Sequence, residues 1–111
     1  MNIKLKNNII IDSTAIIKNL DRRTNQIFKL LPNREENKDW QNPLNNLIVE
    51  IGGMSSLIEE HYNLFSLLCK LEGLNNLTEK EDFFQFRKTI FECLSLCGEI
   101  KNVFRKYEEE N

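Results

Sequence analysis

Several features are scarce in this 111-residue chain, and each scarcity closes off a class of protein. No run of 18 apolar residues occurs, so no segment is expected to cross a membrane. Lys4 and Lys6 precede an apolar stretch from Ile9 to Ile17, but Asp12 interrupts it, and it fails as a secretory signal. The cysteines number three, which leaves one over from any set of disulfide pairs, and Cys93 and Cys97 fall in an apolar helical stripe. Thiols used as small hydrophobes belong to a reducing compartment, so a cytoplasmic location is expected. The chain lacks a Gly-rich phosphate loop, a Cys-x-x-Cys pair and a helix-turn-helix of ordinary proportions. Helical carboxylate–metal proteins need inward glutamates repeated at i, i+3 on facing helices, whereas Glu59, Glu60, Glu92 and Glu99 take outer positions. No enzyme, metal or cofactor is expected.

What the chain has is helical periodicity. Phe83, Phe86, Ile90, Cys93, Cys97, Ile100, Phe104 and Tyr107 recur at alternating spacings of three and four, the rule for a helix that lays one seam against a neighbour. Thr78 with Glu81 forms a capping box for this helix, placed at 79–108. A second seam runs Leu44, Leu47, Ile51, Met54, Ile58, His61, Phe65, Leu68. Asn42 followed by Pro43 starts that helix, and Gly73 before Leu74 stops it. Gly52-Gly53 stands in its middle, and Ser56 with Glu59 could cap a fresh helix there, but the seam keeps phase through the glycines. One helix over 43–72 is therefore expected. A shorter helix over 13–31, capped by Asp12 or Ser13 and stopped by Pro32, carries Ile16, Leu20, Arg23, Ile27 and Leu30, flanked by Ile17 and Leu31.

The predicted fold is all-α: an elongated antiparallel three-helix bundle, with two long helices forming a hairpin and a shorter N-terminal helix. It is a single domain over 1–111, with 32–42 as a polar connector. Residues 1–11 form an arm or a short β-hairpin, from alternating Ile3, Lys4, Leu5 and Lys6 and the turn dipeptide Asn7-Asn8. Thirty helical residues span about 45 Å and nineteen only about 28 Å, so the first helix leaves the hairpin tip uncovered. Leu64, Phe65, Leu68, Leu71, Phe83, Phe84 and Phe86 would then be buried by a second copy or a partner protein. The alternative is that the first helix or the arm covers the tip.

Trp40, among charged connector residues, is either an interface anchor or a plug at the bundle end. Arg23 interrupts the first stripe beside Arg22. Either it contacts an anion, or it lies at the stripe's rim with its stem buried and its head in water. His61 with Cys93 and Cys97 is a sterically conceivable zinc set, but three ligands fall short of a structural site, and core packing is the preferred reading.

The net charge of −2 hides a basic front, +3 over residues 1–40 against −5 over 41–111. Lys18, Arg22, Arg23, Lys29, Arg34 and Lys38 could serve a nucleic acid or anionic ligand, although a pI of 5.5 argues against general nucleic-acid affinity. Fifteen asparagines suggest an AT-rich genome, compatible with a phage or mobile element. The expected function is non-enzymatic protein–protein interaction, as adaptor, assembly subunit or inhibitor. The alternative is a small regulator that uses the basic front.

Overall fold

The computed structural model describes residues 2–4, 10–57 and 62–109, with side chains over 14–55 and 63–105. Strands β1 (Asn2–Lys4) and β2 (Ile10–Asp12) pair antiparallel, with Ile3 opposite Ile11. All else of regular structure is helical. Helix α1 spans Ser13–Glu35, α2 Gln41–Leu57, α3 Tyr62–Leu74 and α4 Phe83–Glu109, the last entered through a 3-10 turn at Lys80–Asp82.

The four helices pack against each other in up-and-down order. Lys101 Nζ reaches Asp21 Oδ1 at 2.8 Å while Arg34 lies over the Phe86 ring, so α1 and α4 run antiparallel along their length. Lys70 to Glu92 at 2.8 Å sets α3 antiparallel to α4, and the Arg23–Glu50 ion pair ties α1 to α2. Asn75 Nδ2 donates to Asn45 Oδ1 at 3.0 Å, which brings the end of α3 beside the start of α2. A Cβ on Gly52 would stand 3.8 Å from Leu68.

These contacts correct the expected 43–72 rod. A straight helix would hold Asn45 and Asn75 about 45 Å apart. Instead the chain reverses between α2 and α3, and the bundle has four helices rather than three. Burial gives the reason. The α2 row is Leu44, Leu47, Ile51, whereas the α3 row is Leu64, Leu67, Leu71, Leu74, one position out of phase with the seam extended from α2. A single rod would turn one of these rows to water. Folding back joins both to the same core as Ile27, Leu30, Phe86, Ile90 and Cys93. Gly52 and Gly53 lie within α2, and no described glycine has positive φ. Ile58 and His61 lie outside the described residues.

Helix boundaries also shift. Pro32 sits inside α1 and does not stop it. The helix runs three residues past it to Glu35, and Asn37 beyond its end is in the left-handed region at φ 58°. There Lys38 N donates to Asn33 O at 2.8 Å and Asn37 N to Arg34 O at 3.2 Å, the paired bonds of a Schellman stop. At the start of α2, Asp39 rather than Asn42 does the capping, its Oδ1 accepting from Asn42 N at 3.2 Å. Before α4 the capping box is Glu79 with Asp82, not Thr78 with Glu81. The α4 seam is as expected from Phe86 to Phe104, with Phe83 half-buried beside it. No described helix is long and apolar enough to cross a membrane.

Gly53 is exposed and nothing lies within 4 Å of a Cβ built on it. Gly53→Ala is therefore expected to stabilise the fold by about 0.8–1 kcal/mol, read from urea unfolding midpoints.

Candidate functional site

Two regions combine unusual chemistry with exposure. The first is the bundle end where the α1–α2 and α3–α4 connectors meet. Arg34, in the last turn of α1, points across this end. Its Nη2 donates to Leu77 O at 2.9 Å and Glu79 O at 2.8 Å. Its guanidinium lies 4.7 Å from the Phe86 ring centre, 5.3 Å from Phe83 and 5.8 Å from Trp40. Trp40 meets Phe86 edge-on, centroids 5.0 Å apart. A cation within about 6 Å of several aromatic faces is held by their quadrupoles, and the guanidinium satisfies Leu77 O and adds a second donor to Glu79 O, which already accepts from Asp82 N at 3.0 Å. Arg34 is thus committed to the fold. A shallow hollow of about 800 Å³ opens beside it, bordered by Lys38, Trp40, Thr78, Lys80 and Phe83. Lys38 pairs with Glu36 at 2.9 Å. Trp40 is half-buried, packs partly against the core and borders the hollow with its remaining surface.

The second region is the outer side of α1 and α4. Phe84 and Phe91, seven residues apart on α4, are 76% and 44% exposed, and Arg87 lies over the Phe91 ring at 5.6 Å. On α1, Phe28 is 51% exposed and sits seven residues beyond Asp21, hence on the side of α1 that meets α4. The Asp21–Lys101 pair sets Phe28 level with Leu94. Burial of residues such as Phe86 and Ile90 inward leaves this face to carry the helix's remaining aromatics.

The sequence-predicted tip does not survive as one surface. Leu64, Leu71 and Phe86 are fully buried in a single chain, and Leu68 and Phe83 pack partly against the core. The α2–α3 reversal covers what a shorter first helix was expected to leave open. Of that set only Phe65, at 57%, and Phe84 stay exposed. Phe28 and Phe91 were missed, because neither lies on a predicted seam. Their signal was the seven-residue spacing of Phe84 to Phe91 just off it.

The basic front is likewise divided. Arg23 is 8% exposed, forms an ion pair with Glu50 and donates to Gln26 Oε1 at 3.1 Å. Its head is therefore inside the α1–α2 seam, not in water at the rim, while its Nε and Asn19 Oδ1 lack hydrogen-bond partners among the described residues. Lys18, Arg22 and Lys29 remain exposed on α1.

Cys93 and Cys97 are buried in α4. The Lys70–Glu92 pair places Cys93 beside the middle of α3, while His61 of the conceivable zinc set lies outside the described residues. Desolvation pushes the Cys93 thiol up to about 12, with Cys97 adding to the shift. Burial raises Cys97 too, opposed by a hydrogen bond with Thr24. Such thiols are poor nucleophiles near neutral pH. Among the described residues, no three of His, Cys, Asp and Glu are grouped to hold a metal. The Lys101 hydrogen bond lowers the Asp21 carboxyl, and that of Lys70 lowers Glu92. Both are surface pairs, whose contribution is present above the ordinary carboxylate range and is lost as pH falls through the lowered values.

Comparison with protein families, with curated proteins and with solved structures finds no match. The class defined by the coordinates is therefore a four-helix up-and-down bundle, and function is argued from its surface.

Arg34→Ala is expected to destabilise the protein by about 2–3 kcal/mol, and Arg34→Lys to recover less than half, because lysine is one atom shorter and has no planar guanidinium to lie against the Trp40, Phe83 and Phe86 rings. Chemical denaturation of the three proteins measures this. A thiol-alkylating reagent at pH 8 should label Cys69 alone in the native state and all three cysteines in denaturant, counted by intact mass.

Proposed function

We propose that this chain is a non-enzymatic protein–protein interaction module that presents the outer face of α1 and α4 to another folded chain. The observation that carries this reading is the set of exposed phenylalanines, Phe28, Phe84 and Phe91, on one side of the packed α1–α4 pair. Aromatic residues flanked by arginine are the usual anchors of binding surfaces. Val49 on α2 and Phe65 on α3 are exposed as well, at 74% and 57%, but each stands on a different helix; three exposed phenylalanines gathered on one face mark an interaction site. Arg87 over Phe91 gives this face both an aromatic platform and a donor. Adaptor, assembly-subunit and inhibitor roles all act through such a surface, and none requires a catalytic constellation.

A second reading rests on Lys18, Arg22 and Lys29. Their positions at i, i+4 and i+11 put them along one edge of α1, where a nucleic-acid backbone or an anionic ligand could lie. The neighbouring acidic residues and the inward commitment of Arg23 and Arg34 weaken it.

Affinity capture from cells that express the protein separates these. Wild-type bait should retain a defined set of proteins, and Phe84→Asp/Phe91→Asp bait should lose them at least about tenfold, with an unchanged thermal melt because both positions are exposed. Equal retention by both baits contradicts the proposal. So does retention of nucleic acid that falls steeply with salt, which instead supports the second reading.

A further inference from the structure

Building on that face as an interaction surface, we propose that its occupant is a second copy of this chain, docked antiparallel along α4 about a two-fold axis that passes between Leu94 and Ser95. The file that runs down the outside of α4 at seven-residue intervals is Phe84, Phe91, Gly98, Arg105. A two-fold at its midpoint sets Phe91 of each copy opposite Gly98 of the other, and Phe84 opposite Arg105. The first pairing places a large ring over a residue with no side chain. A Cβ on Gly98 would meet nothing within 4 Å, so the space above it is open in the single chain. The second pairing sets a guanidinium against an aromatic face, the arrangement that Arg87 and Phe91 already adopt within one chain. Size and charge are thus complementary to themselves, as an isologous interface requires.

The edges of the file agree. In an antiparallel pair each edge meets its own counterpart. On one edge lie Lys88, Ser95 and Glu99, all exposed. The same axis sets Lys88 level with position 101 of the partner copy, about 3 Å along the helix from that copy's Glu99 on the same edge and within reach of the long lysine side chain, and it sets Ser95 beside the partner copy's serine. Lys88 and Glu99 lie three turns apart within one helix, roughly 16 Å, and cannot pair in cis. On the other edge Phe28 is level with Leu94, so the axis carries it to its own symmetry mate. Lys101 on that edge is already matched by Asp21 at 2.8 Å and does not add unbalanced charge. The face runs from Phe84 to Arg105, about 32 Å, and is two helices, roughly 20 Å, wide, which approaches the ~800 Å² per partner of a standard interface.

Sedimentation of purified protein over a concentration series tests this, with charge-reversal variants as the decisive arm. Wild type is expected to be a reversible dimer. Lys88→Glu and Glu99→Lys alone should each weaken it by about threefold to tenfold, and the double variant should restore it. Gly98→Arg should abolish the dimer while leaving the melting temperature of the monomer intact. In a Cys69→Ser background, Ser95→Cys should form an intermolecular disulfide under mild oxidation. A monomeric wild type at high-micromolar concentration, no rescue by the double reversal, or no Ser95→Cys cross-link would each overturn the dimer. If the dimer is absent but the Phe84→Asp/Phe91→Asp bait still loses partners, only this inference falls. If captured proteins are also indifferent to those substitutions, the interaction reading falls with it.

Discussion

The fold depends on one constraint: α2 and α3 must turn back on each other so that two out-of-phase leucine rows reach a single core. Leu44, Leu47 and Ile51 on α2 and Leu64, Leu67, Leu71 and Leu74 on α3 face the same interior only when the chain reverses between them. At roughly 1.5–3 kcal/mol per fully buried aliphatic side chain, leaving either row in water would forfeit several kcal/mol, an amount comparable to the whole stability of a domain this size. The weak helix propensity of Gly52 and Gly53 is minor against that, and α2 continues through them.

The remaining features follow from that reversal. With α2 and α3 occupying one side of the α1–α4 pair, the α1–α2 and α3–α4 connectors meet at one end, where Arg34 joins the carbonyls of Leu77 and Glu79 to the rings of Trp40, Phe83 and Phe86. There the cation holds the two connectors to the core, and a hollow opens beside it. Among the described residues no further helix covers the opposite side of α1 and α4, and Phe28, Phe84 and Phe91 stay exposed there. A recognition surface built on two packed helices costs little ordering on binding, which favours it over the connectors as a place for contact.

The α4 seam was legible residue by residue, because a three-and-four spacing uninterrupted by glycine or proline admits one helical phase. The α1 stripe was legible too, Arg23 included, although its burial against Glu50 required a partner that periodicity cannot name. The reversal was not legible. The α2 seam could be extended through Met54, Ile58 and His61 to Phe65 without a break in period, while the true α3 row is shifted by a single residue. Leu64 and Leu71, expected at an open hairpin tip, are covered within the chain because α2 packs beside α3. Proline at position 32 misled because proline excludes only its own N–H and its local geometry, and the Schellman stop at Asn37 took precedence. The candidate interface shifted accordingly, from the hairpin tip to residues just off the predicted seams.

The central claim is the reversal itself, and a distance measurement reaches it most directly. Spin labels at the exposed positions Asn46 and Asn76, introduced as cysteines in a Cys69→Ser background, would report the span from the start of α2 to the end of α3 by pulsed dipolar spectroscopy. The four-helix bundle predicts a narrow distribution below about 20 Å, set by adjacent helices about 10 Å apart plus the label tethers. A distribution centred near 45 Å, the length of thirty residues in one continuous helix, would contradict it.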